Sequence, residues 1–185
     1  MPEYKRETLN FFINLFWTIF CFSPVLWFWI TEGITTYFYL FLAICFAIGI
    51  LPEKFLNSLM LSSNRRFYEK IGVKQIRKFV QNGDLVKSIT PKPKQQVVNN
   101  LSQAQRYMKT IAMYERFHWV CFAFFLLTAI LCFYEGRTEP GLMIMAANLL
   151  YNAGSILLQQ YNKIRIRKLE LSVISDSVKK SMHQQ

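Results

Sequence analysis

The sequence predicts an all-α integral membrane protein with four transmembrane helices plus amphipathic interfacial helices, and three observations predict it. Of the 185 residues, 52% are apolar and 16% aromatic, gathered in uninterrupted blocks rather than dispersed as in a water-soluble globule. Each block is long enough to cross a hydrocarbon core of about 30 Å at about 1.5 Å per residue. The 22 Lys and Arg, against 11 Asp and Glu, lie between and beyond the blocks. This composition excludes a disordered chain.

The first span is expected at 9–30, where 22 residues carry no charge, and the second at 34–51, another 18. Thr31-Glu32-Gly33 joins them. The first run exceeds the apolar region of a cleavable signal peptide and turns straight into another span. Runs at 117–134 and 141–158 flank the short polar link Glu135 to Pro140 and make a second helical hairpin. Cys21, Cys45, Cys121 and Cys132 all sit inside apolar blocks without metal-ligand or C-x-x-C spacing, so they read as small buried residues. Lys and Arg near span ends resist translocation. Thirteen basic residues lie in 53–116 and six follow Tyr161, but only Arg137 sits in the last short loop. Both termini and the middle segment are therefore expected in the cytoplasm, in a bacterial cytoplasmic membrane. The formal charge of +11 suits anionic headgroups. Nucleic acid is not expected as a partner, because no binding motif accompanies the basic residues.

In the cytoplasmic segment, Leu51-Pro52-Glu53-Lys54 closes the second span. Arg65 to Phe79 mixes Arg65, Arg66, Lys70, Lys74, Arg77 and Lys78 with Phe67, Tyr68, Ile71, Val73, Ile76 and Phe79, a basic amphipathic pattern suited to the interface. Asn82-Gly83-Asp84 reads as its stop and Thr90-Pro91-Lys92-Pro93-Lys94 as an extended link. Ser102 to Gln105 has capping-box spacing, so a helix is expected to start there and run unbroken into the third span. A cytoplasmic helix is expected at 161–181.

Glu115 and His118 stand three residues apart at the mouth of the third span, on one helical face. The fourth span carries Asn148, Asn152, Ser155, Gln159 and Asn162 at steps of 4, 3, 4 and 3, one polar stripe along an apolar helix. Such a stripe is costly in lipid unless it faces protein or a wet cavity. Antiparallel packing brings Gln159 and Asn162 level with Glu115 and His118, with Asn152 about 10 Å deeper, and a polar cavity opening to the cytoplasm is expected. Amides and hydroxyls also serve as interhelical glue, so a non-catalytic subunit that docks a partner helix is an alternative. An imidazole near its ordinary pKa suits a general base for a hydroxyl proton, and a carboxylate can select its tautomer. Carboxamides of Asn152 and Gln159 can orient the hydroxyl or bind a carbonyl oxygen as charge develops. Acyl transfer fits these roles. No Ser or Cys occupies a nucleophile elbow, which favours direct attack on an acyl thioester. Nothing points to a metal, since His183 is the only other His, and no nucleotide-binding motif supports another lipid-modifying transferase.

Glu115-Arg116-Phe117-His118-Trp119, and later Asn152-Ala153-Gly154 through Gln159-Gln160-Tyr161-Asn162-Lys163-Ile164-Arg165, resemble the glycosyl-diaponeurosporenoate acyltransferase family of carotenoid (staphyloxanthin) synthesis. Its members carry Glu-x-x-His-Trp and then Asn-x-Pro, four residues, and Gln-Arg-Tyr-Asn-Arg-x-Arg. Leu51 to Phe55 and Tyr68 to Lys78 are also similar to segments of that family. Gly154 stands where the family has Pro, Gln160 where it has Arg, and Ile76 where it has Trp. The resemblance implies an integral membrane enzyme that esterifies a hydroxyl of a lipid or glycolipid with a fatty acyl group. On matching positions Glu115 and His118 would be the catalytic pair, with Asn152, Gln159, Tyr161, Asn162 and Arg165 lining the site beside Ser155. No tightly bound cofactor is expected. The donor would be acyl-coenzyme A or acyl carrier protein, drawn by Arg65, Arg66, Lys74, Arg77 and Lys78.

Overall fold

A computed structural model describes residues 2–80 and 101–182, and among them all regular structure is helical. The links expected at 82–84 and 90–94 lie outside the described residues. Helix α1 (Pro2–Glu32) is followed by α2 (Thr36–Gly49), three short helices α3 (Glu53–Ser58), α4 (Arg65–Lys70) and α5 (Val73–Phe79), and then α6 (Leu101–Tyr134). Helix α7 (Thr138–Asn148) continues through a π-helical turn (Leu149–Ala153) into α8 (Gly154–Met182).

Among the described residues three helices are long and apolar enough to cross a membrane: Glu7–Glu32, Leu101–Tyr134 and Thr138–Leu171. Their outer faces agree with that. Phe12, Phe16, Ile19, Trp27 and Ile30 of α1 are all exposed, an apolar surface suited to acyl tails and not to water. The fourth expected span, α2, has 14 helical residues, about 21 Å at 1.5 Å per residue. It falls short because Thr35 adopts the extended cap conformation and the helix closes at Ile50, ahead of Pro52.

The polypeptide meets the demands of an apolar solvent locally. Pro24 inside α1 cannot donate to the Phe20 carbonyl one turn back, and the Ser23 hydroxyl donates to that carbonyl instead, at 3.0 Å. Arg116 Nη1 donates to the Gly49 carbonyl at 2.7 Å, placing a cation on the C-terminal carbonyls of α2, where charge and dipole agree. Between the spans, Trp29, Phe28, Val25 and Cys21 of α1 pack with Phe41 of α2, Phe125 and Ala129 of α6 and Ile144 of α7. The Trp29 indole, buried there, donates to the Thr128 hydroxyl at 3.2 Å.

The hairpin between α6 and α7 is tighter than its polar sequence suggests. The chain turns at Gly136, whose φ of +76° is open to glycine. Pro140 falls in the first turn of α7, where no donor is lost to it. Arg137 forms an ion pair with Glu32 at the end of α1. At the opposite end of the bundle α3, α4 and α5 lie against α8. Tyr68 of α4 and Val73 of α5 are buried with Leu158, Tyr161 and Ile164, and Ile76 lies against Gly154. The amphipathic stretch 65–79 is thus two helices, broken at Gly72 with φ +90°, and its rings divide: Tyr68 docks on α8 while Phe67 and Phe79 stay exposed. Helix α6 is already formed at Leu101 and runs unbroken into its span, as expected. The cytoplasmic helix expected at 161–181 is continuous with the preceding span, packing Ile166 against Ala104 and Ile111.

Candidate functional site

Two hydrogen-bonded lines occupy the region where α6, the π-turn, α8 and the short helices meet. The first begins at His118. Its Nδ1 lies 3.3 Å from Asn152 Oδ1, Asn152 Nδ2 donates to Asn148 Oδ1 at 2.9 Å, and Asn148 Nδ2 donates to the Phe122 carbonyl at 3.1 Å. The line has one direction. A backbone carbonyl only accepts, so Asn148 must offer it the NH2 and turn Oδ1 to Asn152, which in turn offers Oδ1 to the imidazole. That oxygen holds the proton on Nδ1 and leaves the Nε2 lone pair of the neutral ring free. Asn148 and Asn152 are fully buried and His118 partly so. The ring stands edge-on to Tyr151, centroids 5.3 Å apart, and the Tyr151 hydroxyl reaches Thr18 Oγ1 of α1 at 3.4 Å.

The second line is centred on Gln160. Its Nε2 donates to Glu115 Oε1 and to the Leu59 carbonyl, each at 3.3 Å. Its Oε1 accepts from the Leu61 amide at 3.2 Å and from the Tyr68 hydroxyl at 3.0 Å. Both donors and both lone pairs of this carboxamide are thereby engaged. Glu115 is ion-paired with Lys163, and both side chains are essentially out of solvent, at 0% and 1% exposure. Lys163 Nζ also donates to Asn57 Oδ1 of α3 at 2.9 Å.

A cationic surface adjoins this line. Glu69 accepts from Arg65 at 2.7 Å and from the Tyr161 hydroxyl at 3.1 Å, and pairs with Lys74 at 3.2 Å. The Arg65 guanidinium, then Lys74, holds the Glu69 carboxyl below the usual carboxylate range. Arg65 and Arg165 approach the buried Tyr161 ring at 5.6 and 5.7 Å. Burial pushes the Tyr68 phenol up from its ordinary value. Arg66 is exposed, its amide donating to the Asn64 cap at 2.9 Å, and Arg77 is half-buried at the end of α5.

Glu115 and His118 share one side of α6, yet the carboxylate meets Gln160 and Lys163 while the imidazole meets Asn152. The expected depth of Asn152 is corrected: it is level with His118, because the hairpin pivots at Gly136 rather than across the whole polar link. The stripe is corrected too. A π-turn accommodates one extra residue, so beyond Ala153 the buried polar positions are Gln160 and Lys163, while Ser155, Gln159 and Asn162 are half-buried on its flank. Apolar periodicity gives no sign of such a turn. Lys163 and Gln160 were visible only as departures from, or matches to, basic positions of the resembled family. In place of the expected polar cavity, the side chains of the two lines bond one another, while the nearby Trp119 indole N–H has no acceptor among the described residues. Apolar pockets among the described residues include one of about 300 Å³ lined by Phe12, Ile13, Phe16, Trp17 and Phe79, and one of about 240 Å³ between α6 and the α2–α3 elbow. Among the described residues no cluster of His, Cys, Asp or Glu could hold a metal ion.

The family model for glycosyl-4,4'-diaponeurosporenoate acyltransferase matches residues 52–170. No individual curated protein and no solved structure matches the chain. The matched stretch takes in both hydrogen-bonded lines and well over half of the sequence, and the chain therefore belongs to the glycosyl-4,4'-diaponeurosporenoate acyltransferase family.

Proposed function

We propose that the protein is a membrane O-acyltransferase that moves a fatty acyl group from a thioester to a hydroxyl of a lipid or glycolipid. The observation that carries this reading is the directed line from the Phe122 carbonyl through Asn148 and Asn152 to His118. An acceptor on Nδ1 favours, in the neutral imidazole, the tautomer with Nε2 unprotonated, the form a general base requires. In the reaction Nε2 takes the acceptor hydroxyl proton as that oxygen attacks the thioester carbonyl. The carbon–sulfur bond then breaks, and the leaving thiolate recovers the proton from the imidazolium. Acyl group, proton and electron pair all balance without a cofactor.

On this reading Asn152 acts on the imidazole rather than on the substrate carbonyl, since its carboxamide is engaged on both sides. Glu115 acts through Gln160 and Lys163 to hold α3 and the 59–62 turn over the bundle. Arg65, Arg66, Lys74, Arg77 and Arg165 give the same end a positive surface for the donor, acyl-coenzyme A or acyl carrier protein. Their side of the membrane is the cytoplasm, by the distribution of Lys and Arg, with both termini there and the bacterial cytoplasmic membrane as the location.

The test is transfer of acyl groups from thioesters to lipid acceptors by the purified chain in nanodiscs. His118→Ala lowers turnover by about 10²- to 10⁴-fold, the usual contribution of a general base, at unchanged melting temperature. Asn148→Leu, which lets the Asn152 carboxamide flip, costs on the order of 10²-fold, as expected of a misoriented base. Wild-type turnover in His118→Ala would dispose of the assignment.

A further inference from the structure

We infer that the apolar groove between α6 and the α2–α3 elbow holds the fatty acyl chain that is transferred, an assignment that rests on the acyltransferase reading above. The groove exists because α2 stops early. Gly49 and Cys45 meet α6 at Arg116 and Val120, through the Arg116 guanidinium at 2.7 Å and the Cys45 thiol on the Val120 carbonyl at 3.5 Å. The chain then turns at Pro52, and α3 folds across the end of the cleft. Ile48 and Leu51 wall one side, Phe55 and Leu59 close the end, and Trp119 to Leu126 of α6 form the floor.

That floor is in phase with Glu115 of the second polar line and lies to one side of His118. Trp119, Phe122 and Leu126 follow Glu115 by 4, 7 and 11 residues, one helical stripe. It begins one residue after His118 and runs about 10 Å deeper. The wall helix α3 is also tied to the polar line, since Asn57 receives Lys163 and the Leu59 carbonyl receives Gln160. A molecule suited to this geometry is charged at the α3–α5 end and carries one unbranched apolar chain pointing into the bundle. The charge is complementary: Arg65, Arg66 and Lys74 are exposed at the same end, facing the anionic carrier of a thioester. The Trp119 indole N–H is buried with no acceptor among the described residues, so an acyl oxygen that reaches it gains a hydrogen bond.

Two measurements on the full chain in nanodiscs test this. A palmitoyl thioester with a mid-chain diazirine should label Ile48 to Leu59 and Phe122 to Leu126, in preference to a phospholipid carrying the same tail. Ala123→Phe, which fills the groove midway, should raise the ratio of decanoyl to palmitoyl turnover by about tenfold or more. Labelling confined to the Phe12–Trp17 cavity, equal labelling by the phospholipid, or an unchanged ratio in a folded variant would each overturn the groove while leaving the transferase reading intact. Labelling of the groove in a wild-type protein that transfers nothing would keep the chain site and overturn the reaction. The labelling arm uses wild-type protein, so it stands even where Ala123→Phe does not fold.

Discussion

A lysine with 1% of its side chain exposed is tolerable in this bundle only because Glu115 and Asn57 meet it. Removing one partner of such a pair leaves an unpaired buried charge, which costs about 3–5 kcal/mol. Lys163→Met should therefore lower stability by that amount. Adding Glu115→Gln to it should recover about 1–3 kcal/mol as coupling between the two sites, read from melting in detergent by each single and the double variant. Strict additivity would show that the two side chains do not meet. At this scale the sequence was half legible. Glu115 and His118 announce themselves as polar residues at the rim of an apolar run. Lys163 and Gln160 are equally buried, yet they stand beside Arg165, Arg167 and Lys168 and read as part of a solvated basic tail. Nothing in their residue types separates them from it, since a shift of one position decides which are inside.

The element that makes this shift is the π-turn at Leu149–Ala153. Because it accommodates one residue, deleting Ala153 should leave a straight α-helix in which Asn148, Asn152, Gln160 and Lys163 keep their common face. That variant is expected to melt no lower than wild type. Deleting Leu157 instead turns Gln160 and Lys163 away by about 100°, strands Glu115, and should cost the 3–5 kcal/mol of a broken buried pair. Equal losses in both variants would contradict the proposed origin of the register. The short helices carry a separate prediction, about acid. Glu69 holds α4 to Lys74 of α5 and to Tyr161 of α8 with its pKa lowered. Its contribution is therefore full above the unfolded value of about 4.5 and lost as pH falls through the depressed folded value. Amide protection in α4 and α5, measured against the intrinsic exchange rate at each pH, should fall over that acid range and become insensitive to it in Glu69→Gln. Helix boundaries in this region were hard to read from sequence, because a basic amphipathic pattern fits one interfacial helix as well as two that break at Gly72. The long helices were easier, their apolar runs having no other use.

Over the whole molecule, the helices are arranged so that one polar line can be closed at both ends inside apolar surroundings. Its carbonyl end belongs to α6, its middle to α7 and the π-turn, and its imidazole again to α6, with Tyr151 steadied from α1. The fold class and membrane character were legible because apolar blocks of this length have few alternatives. The count of four spans is not confirmed, since α2 has 14 helical residues, Thr36–Gly49, and is two residues shorter at each end than the run at 34–51. The pairing of the last two helices was legible as a hairpin, but its register was not, because Pro140 looks like part of a loop and instead lies in the first turn of a helix that starts at Thr138. All of these placements must hold for His118 to carry its proton on Nδ1, so the tautomer reports on the whole arrangement. The most direct measurement is the 15N spectrum of histidine-labelled protein in nanodiscs at neutral pH, with His183→Gln removing the only other imidazole. A protonated Nδ1 with an unprotonated Nε2 is the result predicted, and a ring protonated on Nε2 alone would contradict it.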